Sequence, residues 1–181
     1  MVVILLGAGF EEAEALVPAD LMRRAGLDVV LTSLHGDEVT GSHGITVHVD
    51  RKLTRVDQKL VEMVVLPGGL GGVKSILSDT NALDFILAVH RDGGKVAAIC
   101  AAPTILAKLG LLSGKKAVVY PGMEDQLGDA IPQTGAPVVV DDPIITGEAA
   151  GSSFDFGLKL VEVLKGKAVA DQIRNGVHYH G

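Results

Sequence analysis

Short apolar runs alternate with stretches of helical spacing from one end of this chain to the other, and that alternation restricts its fold more than any other feature. Val2 to Leu6 is an unbroken apolar run of strand length, and Glu12 to Ala25 carries helical spacing closed by Gly26. Val29 to Ser33 is the next strand. Gly44 to Val49 alternates apolar and polar residues, which predicts a more exposed strand or an edge hairpin. Val61 to Leu66 predicts a further strand, followed by a glycine-rich turn and a helix from near Asn81 to Arg91. Val96 to Ile99 predicts a buried strand that turns at Cys100 into a helix from Pro103 to Leu109. Val118 and Val119, Val138 to Asp141 and Ile144 to Thr146 read as three short strands, and Ser153 to Leu164 as a long amphipathic helix. The order βαβ…βαβαβ predicts one α/β domain over residues 1–181. Its expected form is a flavodoxin-like three-layer sandwich with a mostly parallel central sheet.

Composition narrows the class further. The chain is 48% hydrophobic but only 3% aromatic and lacks Trp, so its core must be built from Val, Leu, Ile and Ala. Sixteen basic residues against 22 acidic ones give a net charge of −6, which offers no basic footprint for nucleic acid. One cysteine excludes an internal disulfide and suits a reducing compartment, most simply the cytoplasm. The N-terminus is apolar, but no Lys or Arg precedes it, so it makes a poor signal peptide. No apolar run approaches the roughly 18 residues needed to cross a bilayer, and no membrane association is expected.

Ligands of such sheets bind beyond the carboxyl ends of the strands, which directs attention to three turns. At the elbow Ile99-Cys100-Ala101-Ala102-Pro103, a side chain is pushed out over a helix N-terminus, where free amides and the helix dipole favour a thiolate. Cys100 reads either as an activated nucleophile or as a small buried hydrophobe. The first turn, Gly7-Ala8-Gly9-Phe10-Glu11-Glu12-Ala13-Glu14, begins like a dinucleotide fingerprint, but Glu12 stands where the third glycine should be. Carboxylates there would repel a pyrophosphate, so no nucleotide cofactor is expected. Complementing the helix dipole accounts for Glu11 and Glu12. Glu14 lies near the apolar stripe of Leu16, Val17 and Leu21, where a carboxyl would have a raised pKa and could serve a thiolate as acid/base partner. The third turn, Leu66-Pro67-Gly68-Gly69-Leu70-Gly71-Gly72, is either an ordinary flexible loop or a nest whose amides, with that of Ala101, stabilise an oxyanion. No histidine is an obvious third member. His178-Tyr179-His180 is expected to be a frayed tail rather than a metal site, and no metal is expected elsewhere.

Together these segments resemble the ThiJ/PfpI superfamily, in the branch that holds the parkinsonism-associated deglycase and bacterial ThiJ-like proteins. The resemblance spans nearly the whole chain. It rests on Glu11-Glu12-Ala13-Glu14 with Val17 to Gly26, Leu66-Pro67-Gly68-Gly69, Ala98-Ile99-Cys100-Ala101-Ala102-Pro103, Tyr120-Pro121-Gly122 and Gly151 to Gly157. It implies a homodimer with a reactive cysteine on a strained elbow and no cofactor. Cys100 would be the nucleophile, Glu14 the carboxyl bonded to its sulfur, and Gly69 and Ala101 the oxyanion amides. Gly68 and Tyr120 would border the pocket, with Arg24 and His43 near the dimer contact beside it. Peptidase members place His directly after the cysteine, where this chain has Ala101, so protease activity is not expected. Tyr120 stands where the deglycase has a His, and Glu148-Ala149-Ala150 replaces an Arg-Gly-Pro segment near the pocket. The implied activity is that of a glutathione-independent glyoxalase or deglycase acting on a small carbonyl. The alternative is a non-catalytic redox sensor or chaperone-like stress protein in which Cys100 is oxidised to sulfinate.

Overall fold

A computed structural model describes residues 1–181. The elements run β1 (Val2–Leu6), α1 (Glu12–Arg24), β2 (Val29–Ser33), β3 (Glu38–Thr40), β4 (Thr46–His48), β5 (Arg51–Lys52) and β6 (Met63–Leu66). They continue with α2 (Leu70–Leu77), α3 (Thr80–Arg91), β7 (Lys95–Ile99), α4 (Pro103–Lys108), β8 (Lys116–Ala117) and β9 (Ile131–Pro132). β10 (Val138–Asp141), β11 (Ile144–Gly147), α5 (Ser153–Lys165) and α6 (Lys167–Gly176) complete the chain.

Seven strands form one sheet in the order β10-β11-β7-β6-β1-β2-β5, parallel except where β10 runs against β11. β1 and β6 are buried along their whole length. A strand covered on both faces has no use for polar alternation, which is why these segments read as unbroken apolar runs. Their side chains alternate between two cores. Val3, Leu5, Val64 and Val96 meet Ile76, Ile86 and Ile105 of α2, α3 and α4 on one face. Ile4, Leu6, Val65 and Ile99 meet Ala15, Phe156 and Leu160 of α1 and α5 on the other. The predicted three-layer sandwich is therefore present. β3 and β4 pair only with each other, as the expected edge hairpin.

Several segments depart from the sequence reading, α6 among them. The glycine-rich turn after β6 ends at Gly69, and α2 begins at once; Gly71 and Gly72 are poor helix formers, but buried Val73 and Ile76 hold the helix on the sheet. Val118 and Val119 lie beyond β8 rather than in a strand, although the Val118 N–H donates to Thr146 Oγ1 at 2.9 Å. The C-terminal tail is tied down. Tyr179 stacks on Phe154 with ring centroids 5.1 Å apart, and its hydroxyl donates to Asp155 at 2.8 Å. β7, β6 and β1 are neighbours, so the turns that follow them open side by side at one sheet edge.

Candidate active site

Cys100 directly follows β7 and lies in the left-handed region, with φ 63°. Its N–H donates to the Gly147 carbonyl at 3.0 Å and its own carbonyl accepts from the Tyr120 N–H at 2.9 Å, so both peptide groups are pinned. A non-glycine residue held there stores strain of about 1–3 kcal/mol. The backbone amides of Ala101 and Gly69 lie beside the half-buried sulfur and favour its charged form.

Glu14 reaches the same point from the first turn of α1 and is fully buried. Its Oε2 accepts the Gly68 N–H at 2.7 Å. Oε1 is buried without an aligned partner, and the Cys100 side chain is the group this carboxyl meets. Gly68 must be glycine for this approach: a methyl group on it would lie 2.6 Å from Glu14 Oε2 and 2.8 Å from Cys100 Cβ. Gly69 has φ 79°, and a methyl group there would strike the Gly9 carbonyl oxygen and the backbone of the β1–α1 turn.

Burial pushes the Glu14 carboxyl up to about 7; the Cys100 contact and the Gly68 amide pull the other way, and the charge of Glu11 adds to the rise. Burial also pushes the Cys100 thiol up, to about 12, with the Glu14 charge and hydrogen bond reinforcing it and the Ala101 and Gly69 amides opposing. The sequence reading expected the helix dipole to favour the thiolate. α4 has only six residues, and its field is outweighed by burial and an adjacent carboxyl. The two groups thus share one proton over the neutral and alkaline range and titrate as a pair.

A cavity of about 620 Å³ opens over the sulfur. Cys100, Glu14, Glu11, Gly69 with Leu70, Ala101, Tyr120 to Met123 and Ala149 to Gly151 line it. Tyr120 is half exposed in this wall, and the Ala149–Ala150 segment takes part, as the family resemblance implied. Arg24 stands apart from the cavity. It pairs with Asp20 at 2.8 Å and lies ten residues along α1 from Glu14, roughly 15 Å away at 1.5 Å per residue. His43 also lies outside the wall. It binds the buried Glu12 carboxylate, whose oxygens take its backbone N–H at 2.8 Å and meet its Nδ1 at 3.0 Å. Burial pushes Glu12 up, but the His43 side chain and the backbone amides outweigh it and hold the group down at about 2.

Two residues were missed from sequence. Glu12 anchors a loop rather than merely facing the helix dipole, and Glu11 forms part of the cavity wall, 3.3 Å from His43. No spacing rule marks either, because both roles depend on a loop about 30 residues away in sequence.

Among known proteins, the model of the DJ-1/PfpI family matches residues 1–163. Protein dj-1beta of Drosophila melanogaster is 38% identical over 176 residues, covering 96% of this chain and 94% of that protein. The Parkinson disease protein 7 homolog of Danio rerio is 37% identical, covering 94% and 93%, and a deglycase of Pyrococcus abyssi is 31% identical, covering 91% and 99%. The crystal structure of Drosophila DJ-1beta superposes with a TM-score of 0.93 at 35% identity, over 99% of this chain and 98% of that one. An oxidised DJ-1 of Toxoplasma gondii gives 0.94 at 32% identity, with the same coverage. On the match of sequence, fold and length alike, the chain belongs to the DJ-1/PfpI family.

Proposed function

We propose that this protein is a cofactor-independent cysteine enzyme of glyoxalase III or deglycase type, acting on small reactive dicarbonyls or their adducts in stress protection. In this reading it works as a single-domain homodimer in the cytoplasm. The observation that carries it is the Cys100–Glu14 pair, sharing one proton at the floor of an open cavity with the Gly69 and Ala101 amides turned to the sulfur. The Pyrococcus relative named a deglycase supports the same class.

For methylglyoxal, Glu14 takes the thiol proton as Sγ bonds to the aldehyde carbon. The carbonyl electron pair moves to oxygen, steadied by the two amides, and receives that proton to give a hemithioacetal. Glu14 then removes the hydrogen on the former aldehyde carbon and returns it to the neighbouring carbon, while the hemithioacetal hydroxyl proton passes to the neighbouring ketone oxygen, leaving a thioester of lactate. Water adds to the thioester, lactate leaves, and the thiol regains its proton. The net reaction consumes one water and no external oxidant or reductant. Tyr120 borders the cavity as a hydrogen-bond donor. Incubation with methylglyoxal in the absence of glutathione tests the reading: the wild type should form lactate and Cys100→Ser should not. No lactate from protein with reduced Cys100 would overturn it.

The same two amides also favour a second reading, in which peroxide oxidises Cys100 to a sulfinate. Two peroxides are consumed and two waters released, and a protonated Glu14 and the amides hold the sulfinate oxygens. The oxidised Toxoplasma DJ-1 structure lends support. Mass spectrometry after peroxide treatment should find two added oxygens on Cys100 and no further step.

A further inference from the structure

Thr146 carries the only hydroxyl in β11, a strand buried from end to end that otherwise reads Ile144, Ile145 and Gly147. It is 1% exposed. A buried hydroxyl needs a partner, and valine would fill the same space without that need. The partner is the Val118 N–H, which donates to Thr146 Oγ1 at 2.9 Å. Val118 is itself buried and lies beyond β8, which pairs with β9 and not with the central sheet. No ladder therefore holds the stretch from Val118 to Tyr120, and a side chain takes the ladder's place. Two residues on, the Tyr120 N–H donates to the Cys100 carbonyl at 2.9 Å. The Gly147 carbonyl, next to Thr146, accepts the Cys100 N–H at 3.0 Å. The end of β11 thus grips the elbow from both sides, Gly147 directly and Thr146 through Val118 and Tyr120.

We propose that Thr146 is a positioning residue for Cys100. Through Val118 and Tyr120 it keeps the elbow in the left-handed geometry that sets the sulfur beside Glu14 and the Gly69 and Ala101 amides. A non-glycine residue stays at φ 63° only while its surroundings hold it there, and the Tyr120 bond is one of two backbone bonds that do so. Every bond in the tie lies within one chain, and none awaits a partner subunit. The effect on rate rests on the carbonyl chemistry proposed above; the effect on the Cys100 backbone does not.

The chain has one cysteine, so isotopic labelling of cysteine carbons gives a single native Cα–Cβ magnetic-resonance signal, whose position reports the backbone geometry of Cys100. Unfolded molecules give a separate signal, so a loss of stability alone leaves the native one in place. Thr146→Val removes the acceptor at constant shape and should displace the native signal, with kcat for methylglyoxal falling about 10²-fold and KM little changed. Thr146→Ser keeps the hydroxyl and should restore both the wild-type position and kcat. Thr146→Ala leaves room for a water on the Val118 N–H and should displace the signal in the same way, which covers the case of a misfolded Thr146→Val. In the wild type, the Val118 and Tyr120 amides should exchange with solvent at one rate, because they open together. A native signal that stays in place in Thr146→Val or Thr146→Ala, or a Tyr120 amide that exchanges much faster than that of Val118, would overturn the inference. No lactate from any of these proteins, with the signal displaced as expected, sinks the enzyme reading alone.

Discussion

At the scale of single residues, the site depends on two side chains and two glycines that let them meet. Replacing Cys100 by Ser should reduce lactate formation to the uncatalysed background, and Glu14→Gln should lower the rate about 10²- to 10⁴-fold, the range for loss of a positioned acid/base group. Gly69→Ala should cost about 1–3 kcal/mol in unfolding free energy, since it combines φ 79° with a collision against the Gly9 carbonyl. Chemical denaturation checks this, and an unchanged midpoint would mean the turn relaxes freely. Cys100, Gly69 and Ala101 were legible because all three lie within three residues of the end of an unbroken apolar strand, whose end fixes where the next residues emerge. Glu14 was legible from its apolar neighbours. The depressed thiol pKa was misread because a sequence carries the helix that follows a cysteine but not the depth at which the sulfur is buried.

At the scale of elements, the buried Glu12 carboxylate fastens the loop between β3 and β4 to the start of α1. It accepts the backbone N–H of His43 and meets the Ile45 N–H at 3.4 Å. Glu12→Gln should lower stability at pH 7 by about 1–3 kcal/mol, the cost of disturbing a buried, charge-assisted network. Amide hydrogen exchange should quicken at residues 42–45, and unchanged exchange there would show that the loop is held by other contacts. The elements themselves were unequally legible. β1, β6 and β7 announce themselves because burial on both faces demands continuous apolar sequence. α2 was hidden by Gly71 and Gly72, whose low helix propensity is overridden by packing on the sheet. α6 was left unassigned because it is largely polar and contributes only a narrow apolar edge (Val169, Ala170 and Ile173) to the core beneath α5.

At the scale of the whole molecule, the two buried glutamates should shape the pH dependence of stability in opposite ways. Glu12 titrates at about 2 in the folded state, below its ordinary 4.5, so its stabilisation is full above pH 4.5 and is lost as the pH falls toward 2. Glu14 titrates at about 7, above its ordinary 4.5. The folded state therefore holds a proton that the unfolded chain releases, and stability falls by about 3 kcal/mol as pH rises from 4.5 through 7. Denaturant titrations across this range should find that decline in the wild type and not in Glu14→Gln. A decline of the same size in the variant would assign it to other groups. The same titration should govern chemistry, because Glu14 must be ionised to take the Cys100 proton. The most direct test of the account is therefore the pH profile of kcat/KM for methylglyoxal, which reports the ionisations of the free enzyme. The account predicts a rise with a midpoint near 7 in the wild type and negligible turnover in Glu14→Gln; a flat profile, or a variant that keeps the wild-type rate, would contradict it.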